Sequence, residues 1–181
     1  MALLAEELVE EWLNRQGYFT IRGIKTGVHE IDILAVRPLG GALECRQIEV
    51  QASMRPVSYI SRVPAAVQEA TQRAATSSKI RSDDELRVGI AEWIAKKYDH
   101  KNKARLRARL APGPWTRELV VHVVKHTREL ELIADAGITV HQLTKVVRDL
   151  KGGQLMLQGA VGAHLSDLVA LADEANSGGE S

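Results

Sequence analysis

Apolar side chains recur at a helical period at the start of the chain and at a two-residue period soon after it. Between residues 2 and 16, Ala5, Leu8, Val9, Trp12 and Leu13 share one arc at about 100° per residue, and Gly17 supplies a stop. Residues 18–22 read as extended, Gly23 and Gly27 bracket a turn, and residues 28–36 and 43–51 read as strands joined through Pro38, Gly40 and Gly41. The pattern predicts one helix followed by a three-stranded meander. Pro64 opens a helix through residue 76 whose expected inner face is small: Ala66, Ala70 and Ala74. Ser82 and Glu85 have capping-box spacing before Leu86, Ile90, Trp93 and Ile94. After the Pro112-Gly113-Pro114 break, residues 118–125 predict a buried strand, 128–136 a helix stopped by Gly137, and 138–143 a last strand. Residues 144–150 and 164–175 predict further helices, and residues 176–181 a disordered tail. The expected fold is a single α/β domain over residues 1–175, with a central mixed β-sheet flanked by helices.

Composition narrows the function classes. The chain has 181 residues, 45% hydrophobic and 26% charged, with a net charge of +1. That is ordinary globular composition and excludes disorder, collagen or coiled coil for the whole chain. Cys45 is the single cysteine, which excludes an internal disulfide framework. The acidic start, with Glu6, Glu7, Glu10 and Glu11, does not resemble a secretory signal, and no apolar run is long enough to span a bilayer. A cytoplasmic protein with no membrane partner is expected.

The candidate chemistry lies in carboxylates placed where burial makes them costly. Asp32 sits within Ile31-Asp32-Ile33-Leu34-Ala35-Val36, a run apolar enough to be covered on both faces. Glu49 is enclosed in the same way by Ile48 and Val50. Residues 32 and 49 are equidistant from the Gly40–Gly41 bond, so a symmetric hairpin sets the two carboxylates face to face, with Cβ atoms about 5 Å apart. They repel unless a cation or a proton lies between them. On the helical wheel Glu6 borders the buried arc and adds a third acid, whereas Glu7 and Glu11 fall on the far side and Glu10 reads as solvated. An oxygen-rich set of this kind suits Mg²⁺ or Mn²⁺ rather than zinc. Glu30 shares a strand face with Asp32 and reads equally as a further ligand or as an exposed edge residue.

These residues resemble the PD-(D/E)xK nuclease superfamily, particularly its Holliday-junction-resolvase-like members. The resemblance rests on Glu6 eleven residues before Gly17, then Glu30-Ile31-Asp32-Ile33-Leu34-Ala35, then Ile48-Glu49-Val50-Gln51. It covers about the first 55 residues. It implies a restriction-endonuclase-like α-β-β-β-α-β core, with Asp32 and Glu49 as metal-binding acids, Glu6 assisting, and the Val50 carbonyl as a further ligand. It also implies DNA cleavage leaving a 5′-phosphate, in a homodimer that sets two centres on one substrate. Gln51 stands where the family has Lys. Glutamine orients a water by hydrogen bonding but supplies no charge to the transition state. Lys25, in the preceding turn, is a candidate for that charge.

The remaining signals concern substrate. Residues 96–109 carry seven basic side chains against one acidic. Lys96, Lys97, Lys101, Lys103 and Arg105, with Arg55, Arg62 and Arg73, are candidate DNA-backbone contacts, read equally as a solvated face. At 4% aromatic residues, extended base stacking is a poor explanation for binding. His122 and His126 have half of a zinc spacing without the accompanying Glu, and Cys45 reads as structural. The leading expectation is a Mg²⁺- or Mn²⁺-dependent DNA endonuclease. The alternative is a catalytically inactive nuclease-like module that binds nucleic acid or protein, and a third reading is an assembly protein of the same fold.

Overall fold

The computed structural model describes residues 2–53, 55–152 and 156–157. The expected helix over 164–175 and the tail at 176–181 lie outside the described residues.

α1 (Ala2–Arg15) buries the predicted arc, with Leu8, Val9, Trp12 and Leu13 in the core, and Gly17 ends it at φ +85°. Only glycine takes such a value without strain. Glu11 departs from the expectation. It is buried, ion-paired to Arg15 at 2.7 Å, because α6 (Leu143–Lys151) covers that flank of α1. Trp12 Nε1 donates to Asp149 Oδ2 at 3.1 Å and Arg15 Nη1 to the Leu150 carbonyl at 3.4 Å, tying the two helices together.

β1 (Phe19–Thr26), β2 (His29–Leu39) and β3 (Ala42–Gln51) form the antiparallel meander. Gly23 does not turn the chain. It lies inside β1, across from Asp32 in the register that pairs Arg22 with Ile33 and Ile24 with Ile31. The turn between β1 and β2 is tighter than expected and centres on Gly27. β2 and β3 close through Gly40 and Gly41, both at positive φ, as a two-residue hairpin turn requires. Leu39 pairs with Ala42 and Ile33 with Ile48, which is the symmetric register expected from the turn.

The chain then crosses over through three helices before returning parallel to β3. α2 (Ala65–Thr71) is shorter than predicted and has no buried residue: Ala66, Ala70 and Ala74 are exposed. Alanine side chains offer little apolar area to bury, so this stripe does not draw the helix onto the core. α3 (Asp83–Lys97) begins with the predicted capping box, the Ser82 hydroxyl accepting from the Glu85 N–H at 3.2 Å. It buries Leu86, Ile90, Trp93 and Ile94. α4 (Lys101–Leu110) was not expected, because its polar sequence has no strong apolar stripe. Its Lys, Arg, Ala and Leu residues are nonetheless good helix formers, and the His100 side chain caps it.

β4 (Thr116–Val121) pairs parallel to β3, α5 (Thr127–Asp135) follows, and β5 (Thr139–Gln142) pairs parallel to β4. The result is one α/β domain with a five-stranded mixed sheet in the order β1-β2-β3-β4-β5, flanked by helices. Side chains of α1 and α6 pack on one face, and those of α3 and α5 on the other. Among the described residues no helix is long and apolar enough to cross a membrane.

Candidate functional site

The β2–β3 ladder runs to the Ile33–Ile48 pair, one step short of Asp32 and Glu49. Beyond it, Asp32 Oδ2 takes the Val50 N–H at 2.8 Å, so the half-buried carboxylate itself bridges the two strands. Asp32 Oδ1 has no protein hydrogen bond among the described residues. Glu49 is 1% exposed and lies on the sheet face turned toward α3 and α4, where Gln47 and Gln51 alternate with it along β3.

Two lysines meet Glu49. Lys97 Nζ, from the last turn of α3, lies 2.6 Å from Oε2, and Lys103 Nζ, from α4, lies 3.3 Å from Oε1. Gln47 Nε2 donates to Oε1 at 3.1 Å. Burial and the neighbouring Asp32 charge push the Glu49 carboxyl pKa up against the pull of the two lysines, and the balance remains raised. Burial lowers the Lys97 ammonium pKa, but Glu49 and Asp32 outweigh it and hold the pKa above its ordinary value. At Lys103 burial prevails, and its pKa is lowered. The pair of acids is therefore met by a pair of bases within the fold.

Glu6 is half-buried on α1. Burial, followed by the Asp32 charge, raises its pKa, which places it in the field of the same site although no described hydrogen bond ties it there. Glu30 is exposed on β2. Lys25 lies in β1 rather than in a turn, exposed opposite Glu30 in the register. Gln51 lines a cleft of about 310 Å³ with Arg62, Glu92, Trp93, Lys96 and Lys97.

The basic residues divide. Arg55, Arg62, Lys96, Lys101 and Arg105 are exposed. Lys103 is 1% exposed, so in this arrangement it holds Glu49 and does not reach a phosphate at the surface. Arg73 pairs with Glu85 at 2.9 Å and also bonds the Lys79 carbonyl, which commits it to bracing the start of α3. Lys97 has both characters: it is paired with Glu49, yet its side chain is 30% exposed and borders the cleft.

Neither histidine of the half-zinc spacing lies in a strand. His122 follows β4, and His126 precedes α5 and stacks on Tyr59 with ring centroids 4.3 Å apart. Cys45 is buried, and burial raises its thiol pKa.

Among the described residues no group of three or more His, Cys, Asp or Glu side chains is arranged to hold a metal ion. Magnesium retains several waters and needs only one or two protein carboxylates. Asp32 and Glu49 match that requirement in ligand chemistry and number, with Asp32 Oδ1 available and Glu49 Oε2 engaged by Lys97.

The interactions of Gln47, Lys97 and Lys103 with Glu49 were not foreseen. Strand alternation puts Gln47 on the Glu49 face and could have indicated it. Nothing local marks Lys97 or Lys103, which lie 48 and 54 residues from Glu49 along the chain.

No known protein-family profile matches the chain, and no curated protein does. A solved protein of unknown function, AF1548, is similar over 98% of this chain and 100% of its own, at 12% identity and a TM-score of 0.46.

Proposed function

We propose that the chain is a metal-dependent phosphodiester hydrolase acting on DNA. The observation that supports this best is the closeness of Asp32 and Glu49 just beyond the end of the β2–β3 ladder, near a cleft that Gln51 shares with Arg62, Lys96 and Lys97. A buried acid beside a half-buried one, next to a basic opening, suits a substrate that is itself a phosphate anion.

Asp32 and Glu49 would hold a Mg²⁺ or Mn²⁺ ion, with Glu6 and the Val50 carbonyl in support. The ion's contribution when bound is to lower the pKa of water and offset charge on the phosphate. Gln51 accepts a hydrogen bond from the attacking water and directs it at phosphorus. The water oxygen bonds to phosphorus while the bond to the 3′ oxygen breaks with its electron pair. The attacking water gives up a proton to solvent, the leaving oxygen takes one up from solvent, and the products are a 3′-hydroxyl and a 5′-phosphate. Arg62 and Lys96 hold the backbone at the cleft. A homodimer sets two such centres on a duplex or branched substrate.

A second reading is a non-catalytic nucleic-acid-binding or protein-interaction module of the same fold. It draws on the two lysines that balance Asp32 and Glu49 within the protein, and on the uncharged Gln51.

Incubation of wild type, Asp32→Asn and Glu49→Gln with duplex, single-stranded, flap and four-way-junction DNA in Mg²⁺ or Mn²⁺ separates the two. Cleavage by wild type alone, leaving 5′-phosphate ends, is expected. Absence of cleavage on every substrate by folded wild-type protein that still binds DNA would establish the module instead.

A further inference from the structure

We propose that Lys97, from α3, supplies the positive charge that Gln51 cannot, and is the cation that meets the reacting phosphate. This rests on the hydrolase reading above. Gln51 and Lys97 line the same cleft, from β3 and from the end of α3, so the charge and the water-orienting amide reach one space from two different elements.

The arrangement of the second lysine frees the first. Glu49 is almost wholly buried, and a lone ionised carboxylate there would be costly, so a neighbouring cation offsets its charge. Lys103, 1% exposed and enclosed beneath the site, is that cation, and Gln47 adds a hydrogen bond to the same Oε1. Lys97 bonds the other oxygen, Oε2, through a side chain that is 30% exposed. Lys97 can therefore turn toward a phosphate without leaving Glu49 uncompensated.

The backbone of Lys97 is held for this purpose. Its carbonyl accepts from Gln47 Nε2 at 2.9 Å and from Lys103 Nζ at 2.7 Å, which anchors the last turn of α3 against β3 and α4. Lys103 is thus a positioning residue: it neutralises Glu49 and fixes the main chain from which Lys97 extends. Lys96 and Arg62 border the same cleft but have no bond to either acid, so they suit contacts farther along the DNA backbone.

The test compares the full-length wild type with Lys97→Met, Gln51→Lys and the double variant. Methionine keeps the packing of the stem and leaves Lys103 on Glu49, and thermal midpoints check folding. The expected result is a fall in kcat of about 100-fold or more for Lys97→Met, the scale of losing one donor to a developing oxyanion, with KM changed far less. Gln51→Lys in the Lys97→Met background is expected to recover cleavage. A Lys97→Met enzyme that cuts at the wild-type rate, or a loss that Gln51→Lys does not recover, overturns the assignment while Asp32-dependent cleavage leaves the hydrolase reading intact. A readout without turnover comes from the Cε resonances of 13C-labelled lysine, titrated with duplex DNA in EDTA. The Lys97 signal, identified by its loss in Lys97→Met, is expected to shift and the Lys103 signal to shift less. A wild type that never cuts but shows this shift refutes the hydrolase and leaves Lys97 as a phosphate contact. Absence of both cleavage and shift refutes both.

Discussion

Glu118 shows how a single buried acid is made stable by the side chains around it. Both its oxygens are engaged: Arg46 grips them at 2.7 and 2.6 Å, Thr116 Oγ1 lies 2.8 Å from one and His141 Nε2 lies 2.8 Å from the other. Burial alone would raise the carboxyl pKa, but these hydrogen bonds and the Arg46 charge hold it down at about 2. A depressed folded-state pKa stabilises the fold above the ordinary carboxylate pKa of 4.5, and that stabilisation is lost as pH falls from there toward 2. The expected contribution is on the order of 3 kcal/mol at neutral pH. Urea unfolding of wild type and Glu118→Gln at neutral pH and at steps down to pH 3 should show the two stabilities converging on acidification. A constant gap between them would mean that Glu118 does not carry that acid sensitivity. Glu49 differs in kind, because its pKa is raised and one of its two cations borders an open cleft.

α3 couples the core to the cleft, and its glycine is explained by contact rather than by propensity. An alanine Cβ at position 89 would stand 2.7 Å from the Arg62 carbonyl and 3.1 Å from Ser61 Oγ. The first of these is backbone and cannot rotate away. The segment at Ser61 is itself pinned from behind, where the fully buried Glu129 of α5 accepts from the Ile60 N–H at 2.6 Å and the Ser61 N–H at 2.9 Å. In an exposed helix interior Gly→Ala would stabilise by about 1 kcal/mol. Here Gly89→Ala is expected to destabilise by about 1–3 kcal/mol through overpacking, read as a lower thermal midpoint. A rise in midpoint would show that the Ile60–Arg62 segment yields freely. The capping box at Ser82 and Glu85 depends only on spacing within the helix, and the sequence indicates it for that reason.

At the scale of the whole molecule, a net charge of +1 provides no general attraction for DNA. Binding must come from where the charges lie. With Lys103 and Arg73 committed to internal ion pairs, Arg62 and Lys96 at the cleft are the contacts to test first. Each phosphate contact releases counterions, so affinity should fall linearly in log–log form with salt. Arg62→Gln and Lys96→Gln should each reduce the slope by about one unit, whereas Arg73→Gln should leave the slope unchanged and lower the thermal midpoint. Fluorescence anisotropy of a labelled duplex across salt concentrations measures this. Equal slopes in all four proteins would remove the cleft from the binding surface.

The fold and half of the site could be read from the residue order, and the limit falls where interactions cease to be local. The α1 arc, the capping box and the β2–β3 hairpin follow from periods of 3.6 and 2 and from the Gly40–Gly41 turn, all encoded within a few residues. The same register, continued one step past Ile33 and Ile48, sets Asp32 across from Glu49, so the turn alone indicates that the two acids are neighbours. The alanine stripe of α2 was misleading because periodicity gives a face but not the area that would bury it. α4 was missed because a highly basic helix shows almost no apolar pattern. Lys97, Lys103 and the burial of Glu11 depend on how a crossover of three helices, and later α6, settle against the sheet. Packing across the whole domain decides those partners, and a charged side chain gives no sign in the sequence of which distant opposite charge it will meet.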